Sequence, residues 1–407
     1  MNYLQWIKPN TFISEYLKYC DNFETPQSFD FWGAIWILSI ICNRRIVINR
    51  PNNKLFTNFY ITFVADSGIC RKSTAVKIAK NILQSMCNEN SYHLLDSYSS
   101  QAKLVYELTK SSKTENKCIL AVNASEFTNF FNNKTIIETF LDLYDCPDRR
   151  IGYGTFSNGN ICLNNVFVSC LSASTPDNYL RSMDKENIEN GFTSRNIIIR
   201  ADKGKRKIPW GTEGAGTEKL TELGTEIGRF VSEQHTKNIF TDQAIRQYSS
   251  WYVRRRTSTD LYTRTFESRE QDFVLKLATL LAINELSTEV TENYIKTAIK
   301  IIQNVKKEAV KFFNNDLYKE EKDLLQITIE KIINIIHSKG QNGIKHRDLY
   351  LRVHNSCSID DYNYIINILH ELDLIEKLQP YKSKTVIYRE TKNIFNFDIK
   401  SILSRFI

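Results

Sequence analysis

Residues 59–80 read FYITFVADSGICRKSTAVKIAK. The run from Phe59 to Val64 is β-branched and aromatic, the composition of a buried strand. A short polar turn carrying Gly68 follows. Lys72, Ser73 and Thr74 then open a segment in which Ala75, Ile78 and Ala79 recur at helical spacing. A strand, a tight loop and a Lys-Ser pair at a helix start form the layout of a phosphate-binding loop. A helix N-terminus offers unpaired N–H groups and the positive end of its dipole to an anion. In that layout Lys72 reaches the terminal phosphates and the Ser73 hydroxyl holds Mg²⁺. The pattern G-x-x-x-x-G-K-[ST] asks for glycine at positions 66 and 71, where this chain has Asp66 and Arg71. Glycine serves there because it takes positive φ and lets backbone approach phosphate. The competing reading is an ordinary strand–turn–helix with a surface lysine.

Moving outward, Cys118 to Val122 is a second apolar strand, and it runs into Asn123, Ala124, Ser125 and Glu126. Acidic residues at the end of such a strand support Mg²⁺ and polarise an attacking water. Ser125 takes the metal-side position and Glu126 the position of the base and second metal contact; a surface glutamate after a strand is the plain alternative. A third strand, Val166 to Leu171, leads to Thr175 and Pro176. Thr175 is a candidate γ-phosphate sensor and, equally, a helix cap. Arg195 follows a turn at Gly191 and precedes Ile197 to Ile199, where an arginine can act as a finger on a neighbour's ATP. Between the second and third strands, Arg150 to Leu163 alternates about a turn near residues 157–159, a hairpin signal.

Composition sets the frame. The chain has 407 residues, 42% apolar and 25% charged, with a net charge of +8. That is an ordinary globular balance with room for two or three domains, and it permits a polyanionic partner. Nine cysteines show no C-x-x-C pair and no zinc spacing, which fits free thiols in a reducing compartment. No signal peptide is read after Met1, and the apolar run Phe31 to Cys42 is too short to span a bilayer, so a cytoplasmic protein without a membrane segment is expected.

Residues 10–43 read as helix interrupted at Pro26, residues 45–49 as a strand, and residues 75–110 as mostly helix. Residues 202–218 read as a linker and 219–315 as helical, with Glu292 to Lys311 as one helix. A second helix is expected over 320–338, with the stripe Leu324, Ile327, Ile329, Ile332, Ile333 and Ile336. It is followed by a short helix after Gly343, a third helix from Ile359 to Leu372 capped by Ser358, and strands at 375–378 and 385–388. Three helices and a hairpin make a winged-helix pattern. Asp360, Asp361, Glu371 and Asp373 count against reading a major groove with the third helix, whereas Lys377, Lys382 and Lys384 suit the wing to DNA.

The ordered set Arg71-Lys72-Ser73-Thr74, Ala124-Ser125-Glu126-Phe127, Ala173-Ser174-Thr175-Pro176, Gly191 to Arg195, Ser268-Arg269-Glu270 and Lys276-Leu277-Ala278 resembles AAA+ helicases. The likeness is greatest to the minichromosome maintenance-like group and to P-loop primase/helicase proteins of phages and mobile elements. It covers roughly residues 12–310. The resemblance implies an α/β AAA+ P-loop core at 51–210, an N-terminal helical region at 1–50, a helical lid at 211–318 and a winged-helix domain with a tail at 319–407. It implies ATP and Mg²⁺ as cofactors, with Gly68, Arg71, Lys72, Ser73, Thr74 and Arg269 binding nucleotide. Glu126, Lys72, Arg195 and Thr175 would be catalytic, with Ser73 and Glu126 at the metal. Arg269 stands at the lid's sensor position, where Arg264 competes. The hairpin residues Arg149, Arg150, Tyr153 and Phe156 would grip DNA, single-stranded or forked, in a homo-oligomeric, hexameric ring. A primase or polymerase would dock through the winged helix. The expected activity is that of an ATP-dependent DNA helicase or translocase. The alternative is a non-unwinding ATP switch, such as a helicase loader or transposition regulator.

Overall fold

The computed structural model describes residues 2–50, 53–86, 92–96, 100–111, 116–131, 134–155, 159–182, 191–204, 207–209, 216–233, 239–255, 258, 261–379 and 385–392. Phe156, Lys382 and Lys384 lie outside these residues, and the Tyr153 side chain is likewise not described. Among the described residues no helix is long and apolar enough to cross a membrane. The chain divides into two compact units, Met1–Phe312 and Phe313–Ile407.

The first unit opens with α1 (Phe12–Cys20) and α2 (Gln27–Cys42), separated where Pro26 takes the N-cap position of α2. Proline lacks the N–H that a helix interior needs but fits at a helix start, so the break falls there. α2 is buried on every side from Phe29 to Cys42, and Trp32 and Trp36 are among the largest fully buried side chains. A hairpin, β1 (Val47–Arg50) with β2 (Asn53–Phe56), leads into β3 (Tyr60–Val64). The next elements are α3 (Lys72–Met86), β4 (His93–Leu95), α4 (Gln101–Ser111) and β5 (Cys118–Ala124). After them come α5 (Thr128–Phe131), α6 (Lys134–Tyr144), the hairpin β6 (Arg149–Thr155) and β7 (Gly159–Asn164), and β8 (Val166–Ser174). α7 (Pro176–Ser182), α8 (Phe192–Arg195) and β9 (Asn196–Arg200) complete the sheet region.

These strands form one five-stranded parallel sheet in the order β4-β5-β8-β3-β9, flanked by helices. All residues of β3, β5 and β8 are buried, as expected of parallel strands covered on both faces. Inside the sheet Thr62 Oγ1 meets Ser172 Oγ at 2.9 Å. Asn196 Nδ2 donates to Thr62 Oγ1 at 2.9 Å and to the Tyr179 hydroxyl at 3.2 Å, so polar groups of three adjacent strands satisfy one another.

Residues 75–110 are mostly helix, as read, but the strand β4 between the two helices was not expected. It is a three-residue edge strand that pairs only with Leu120–Val122 of β5, too short to leave an alternating signature. Helices α9 (Thr217–Glu233), α10 (Asp242–Arg254) and α11 (Leu261–Asn284) follow. They enclose a second unexpected piece, the short parallel pair β10 (Ile239–Phe240) and β11 (Glu289–Val290).

Helix α12 runs without interruption from Glu292 to Lys339, where two helices were expected. Residues 312–319 contain no proline or glycine, so nothing in them breaks the backbone ladder. In the second unit its last turns contribute Ile329, Ile332, Ile333 and Ile336 to a core with Leu349, Tyr362 and Ile365. Ile327, expected in the same stripe, is 58% exposed. β12 (Ile344–Lys345), α13 (His346–Val353), α14 (Ile359–Glu371), β13 (Ile375–Leu378) and β14 (Ile387–Glu390) complete this unit, with a three-stranded sheet in the order β12-β14-β13. Ser358 Oγ accepts the Asp361 N–H at 3.1 Å and so caps α14.

Candidate functional site

The loop after β3 carries two residues in the left-handed region, Gly68 at φ +77° and Arg71 at φ +48°. Arg71 occupies the second consensus glycine position and takes the conformation that glycine is used for there, whereas Asp66 has no positive φ. The Arg71 side chain is turned aside: its Nε donates to Glu24 Oε2 at 2.7 Å. Glu24 also accepts the Ile208 N–H at 2.9 Å, and these two contacts hold its carboxyl below the ordinary range.

Lys72 begins α3, and its ammonium folds back onto the loop, donating to the carbonyls of Ala65 at 2.6 Å and Asp66 at 3.1 Å. Burial lowers its pKa, and the nearby carboxylates of Glu126 and Asp66 oppose that shift. Ser73 is exposed beside it and Thr74 is half-buried. A cation, a left-handed loop and a free helix start are the parts that a triphosphate requires, and these residues fit one. The donor set for Mg²⁺ is thinner: the Ser73 hydroxyl, Glu126, and no carboxylate at Ser125. Among the described residues no cluster of three metal-ligating side chains occurs.

The sheet brings the other predicted residues of this region to the same edge. Val64 pairs with Ser174, and Ala124 with Ser172, so the loop, Thr175 and Glu126 all follow strand C-termini. The Phe127 N–H donates to the Ala173 carbonyl at 2.6 Å, tying the Glu126 turn to the end of β8. Thr175 Oγ1 accepts the Asn178 N–H at 3.3 Å, a capping contact for α7. Beside the loop, a cleft of about 1060 Å³ extends over Ala201–Gly204 and is lined further by Tyr3, Trp6, Gln27 and Asn304. A Cβ on Gly204 would stand 3.3 Å from the Ile69 carbonyl, so that end of the cleft comes near the loop, although no loop residue lines it.

Arg195 is at the other edge. It ends α8 just before Asn196, which pairs with Tyr60 at the start of β3. The five residues of β3 span about 15 Å, so Arg195 and Lys72 are at opposite ends of the sheet. Gly191, at φ +81°, turns the chain so that Arg195 Nη1 donates to the Gly191 carbonyl at 3.0 Å.

Arg195 and Arg269 are brought together here. Arg269 Nη1 donates to Asp145 Oδ1 at 3.2 Å, and Arg195 Nη2 lies 3.8 Å from Asp145 Oδ2. Both guanidiniums also face the ring of Tyr144, at 5.7 Å and 5.8 Å. Arg264, the competing candidate, is exposed. Beneath them Lys276 is fully buried. It donates to Asn58 Oδ1 at 2.8 Å, to the Asn58 carbonyl at 3.0 Å and to the Tyr144 hydroxyl at 3.3 Å. Burial pushes its pKa down to about 8. Arg50 joins through Asp272 at 2.9 Å. Three cations, Arg50, Arg195 and Arg269, thus share two carboxylates, Asp145 and Asp272. Burial and the neighbouring Arg269 lower the pKa of Arg195, and its buried Nε has no hydrogen-bond partner among the described residues.

Asp145, Tyr144 and Arg50 were not read as site residues. One signal was available: an acid at the C-terminal end of a helix is disfavoured by the dipole and calls for a cation. Lys276 within the apolar run from Phe273 to Ile283 was a second, since a lone ammonium in a core needs acceptors. The hairpin residues give a mixed picture. Arg150 is paired with Asp142 on α6, and Arg149 Nε lies 3.4 Å from Cys162 Sγ.

Compared with known protein families and with curated proteins, the chain matches none.

Proposed function

We propose that the chain is an AAA+ P-loop ATPase that works as a homo-oligomer, a hexameric ring in this reading, and moves along DNA as a helicase or translocase. The observation that carries the reading is the separation of Lys72 from Arg195 across one parallel sheet. A guanidinium about 15 Å of strand away from its own phosphate loop can act on a triphosphate only if a neighbouring copy supplies the loop. The strand order β4-β5-β8-β3-β9 supports the same reading, because it sets Glu126 and Thr175 beside the loop.

Phosphoryl transfer asks the protein mainly for positioning and charge neutralisation. Lys72 and the start of α3 bind the phosphates, and bound Mg²⁺ supplies further neutralisation of their charge. Glu126 orients the attacking water and accepts its proton. Arg195 and Arg269 of the adjacent copy stabilise the charge that builds up in the transition state. The cleft lined by Tyr3 and Trp6 takes the base. The β6–β7 hairpin, with Arg149, Arg150, Tyr153 and Phe156, follows the motion of the subunits and holds a DNA strand by charge and stacking. The second unit is a winged helix in this reading.

Subunit mixing tests the core of the proposal. Lys72→Ala and Arg195→Ala proteins are each inactive alone. In a one-to-one mixture about a quarter of the interfaces pair an intact loop with an intact arginine, and DNA-stimulated ATP turnover returns to about that fraction. A mixture as inactive as its components refutes the shared site.

The non-unwinding switch is favoured by Ser125 in place of an acid and by the loss of loop glycines. Strand displacement on forked DNA separates the two: a switch hydrolyses slowly and displaces no strand.

A further inference from the structure

Two helices of the first unit carry exposed ridges of complementary character. On α10, Ile245, Tyr252 and Val253 are exposed, Val253 by 81%. The other exposed large apolar side chains described in this unit, Leu4, Ile69 and Tyr106, are scattered singly, so the apolar surface is concentrated on α10, as at an interaction site. Ile245, Ser249 and Val253 follow one another at intervals of four and form one ridge of the helix. Asp242, Arg246, Ser250 and Arg254 form the ridge beside it. Arg246 and Arg254 are exposed and have no ion-pair or hydrogen-bond partner among the described residues.

On α9 the matching ridge is Glu218, Glu222 and Glu226, all exposed and equally unpaired among the described residues. It borders a shallow groove of about 680 Å³ that is lined by Thr217, Thr221 and Thr225 and ends at Arg229. Thr221 Oγ1 donates to the Thr217 carbonyl at 2.9 Å and Thr225 Oγ1 to the Thr221 carbonyl at 2.7 Å. With those hydroxyls satisfied along the helix, the threonine methyl groups are what the groove offers a partner. The two helices belong to different edges. α9 packs on α3, the helix that Lys72 opens: Ser85 Oγ meets Thr221 Oγ1 at 3.2 Å, and a Cβ on Gly224 would overlap the Met86 sulfur. α10 is tied to the stretch of α11 that carries Arg269, through Arg255 Nη1 donating to Gln271 Oε1 at 2.9 Å.

We infer that α10 of one copy docks antiparallel in the α9 groove of the next copy. Arg254 then faces Glu218, Arg246 faces Glu226, Asp242 faces Arg229, and the ridge of Ile245 and Val253 lies on the threonine methyls. The register fits, because the outer charges of both ridges are separated by the same interval, about 12 Å along a helix. Ridges at intervals of four are also those that pack most often between helices. A nucleic-acid strand is a poorer occupant: it would meet Asp242 within the arginine ridge and leave Ile245 and Val253 uncovered. The inference rests on the reading that copies assemble head to tail, and it supplies the contact that holds them. A stable interface buries about 800 Å² on each partner, more than a phosphate loop and two arginines provide.

Sedimentation velocity of the full chain, with ATP and Mg²⁺ present, reads the assembly. One variant carries Arg246→Glu with Arg254→Glu, the other Glu218→Arg with Glu226→Arg. Each alone sets like charges against each other and should weaken assembly about a hundredfold, while its melting temperature and its binding of a fluorescent ATP analogue stay unchanged. A one-to-one mixture of the two variants should assemble as the unaltered chain does, since every contact between unlike copies again pairs opposite charges. Variants that assemble like the unaltered chain overturn this contact and leave the shared nucleotide site standing. Variants that stay separate when mixed also overturn it. An unaltered chain that remains a single copy overturns both readings. If the only defect of the α10 variant is weaker binding of single-stranded DNA, the ridge serves nucleic acid and the inference fails.

Discussion

Lys72 and Arg195 stand at opposite ends of the same strands, and their surroundings are assembled in different ways. Around Lys72, the predicted groups belong to short segments that follow strands: the loop after β3, Glu126 after β5, Thr175 after β8. Around Arg195, the groups come from three other places: Asp145 after α6, Arg269 and Lys276 two turns apart on α11, and Arg50 at the end of β1, which joins through Asp272 on α11. The first edge is open, with an exposed Ser73 and a lysine resting on its own loop. The second is dry, its lysine wholly buried and its arginines sharing one aspartate. In the proposed reading, the edge that accepts a ligand keeps its groups loosely held, and the groups that serve a neighbour are fixed in advance, which lowers the cost of orienting them at the moment of reaction.

The largest expected effect separates binding from turnover. Arg195→Ala should reduce assembled ATP turnover by about 10³-fold, the scale of a trans arginine, while a fluorescent ATP analogue still binds. Lys72→Ala should lose the binding itself. If both variants lose binding equally, the two edges do not divide the work as described.

A smaller effect concerns the dry edge. Lys276 is held at about 8 against an ordinary value of 10.5. Between those values the folded chain binds fewer protons than the unfolded chain, so this group makes stability rise with pH. The rise amounts to at most about 3 kcal/mol, and its full penalty remains below pH 8. Denaturant unfolding at pH 7, 8, 9 and 10 should show that rise in the unaltered protein relative to Lys276→Met. Parallel curves would mean that the ammonium is better solvated than its burial indicates.

The smallest effect is at Arg71. Replacing it with glycine relieves a left-handed side-chain-bearing residue, worth about 1 kcal/mol, but frees the unfolded chain and removes a largely exposed ion pair with Glu24. The melting temperature of Arg71→Gly should stay within about 3 °C, and its affinity for ATP should be unchanged or tighter. A large loss of stability would show that the Glu24 contact, not the backbone turn, holds the loop.

Much of the sheet was legible because parallel strands buried on both faces are continuous apolar runs. Tyr60–Val64, Cys118–Ala124 and Val166–Ser174 announce themselves in this way. His93–Leu95 did not, because three residues at a sheet edge carry no period. The continuity of α12 was missed for a related reason: the polar stretch after Phe313 resembles a linker in composition, although nothing in it opposes helix. The candidates Lys72, Glu126 and Arg195 were chosen by their position next to strands. Asp145, the partner of Arg195, lies far along the chain and carries no local mark beyond an ill-placed acid.

By itself the amino-acid order determined the α/β class, the helix break at Pro26 and the strand–loop–helix in which Lys72 opens the helix, since each depends on contacts within a few residues. Tertiary structure alone decided the strand order, the left-handed turn imposed on Arg71, and the meeting of Arg195 with Arg269 over Tyr144 and Asp145. Those outcomes depend on burying apolar strands against distant neighbours, a free energy that no local segment contains.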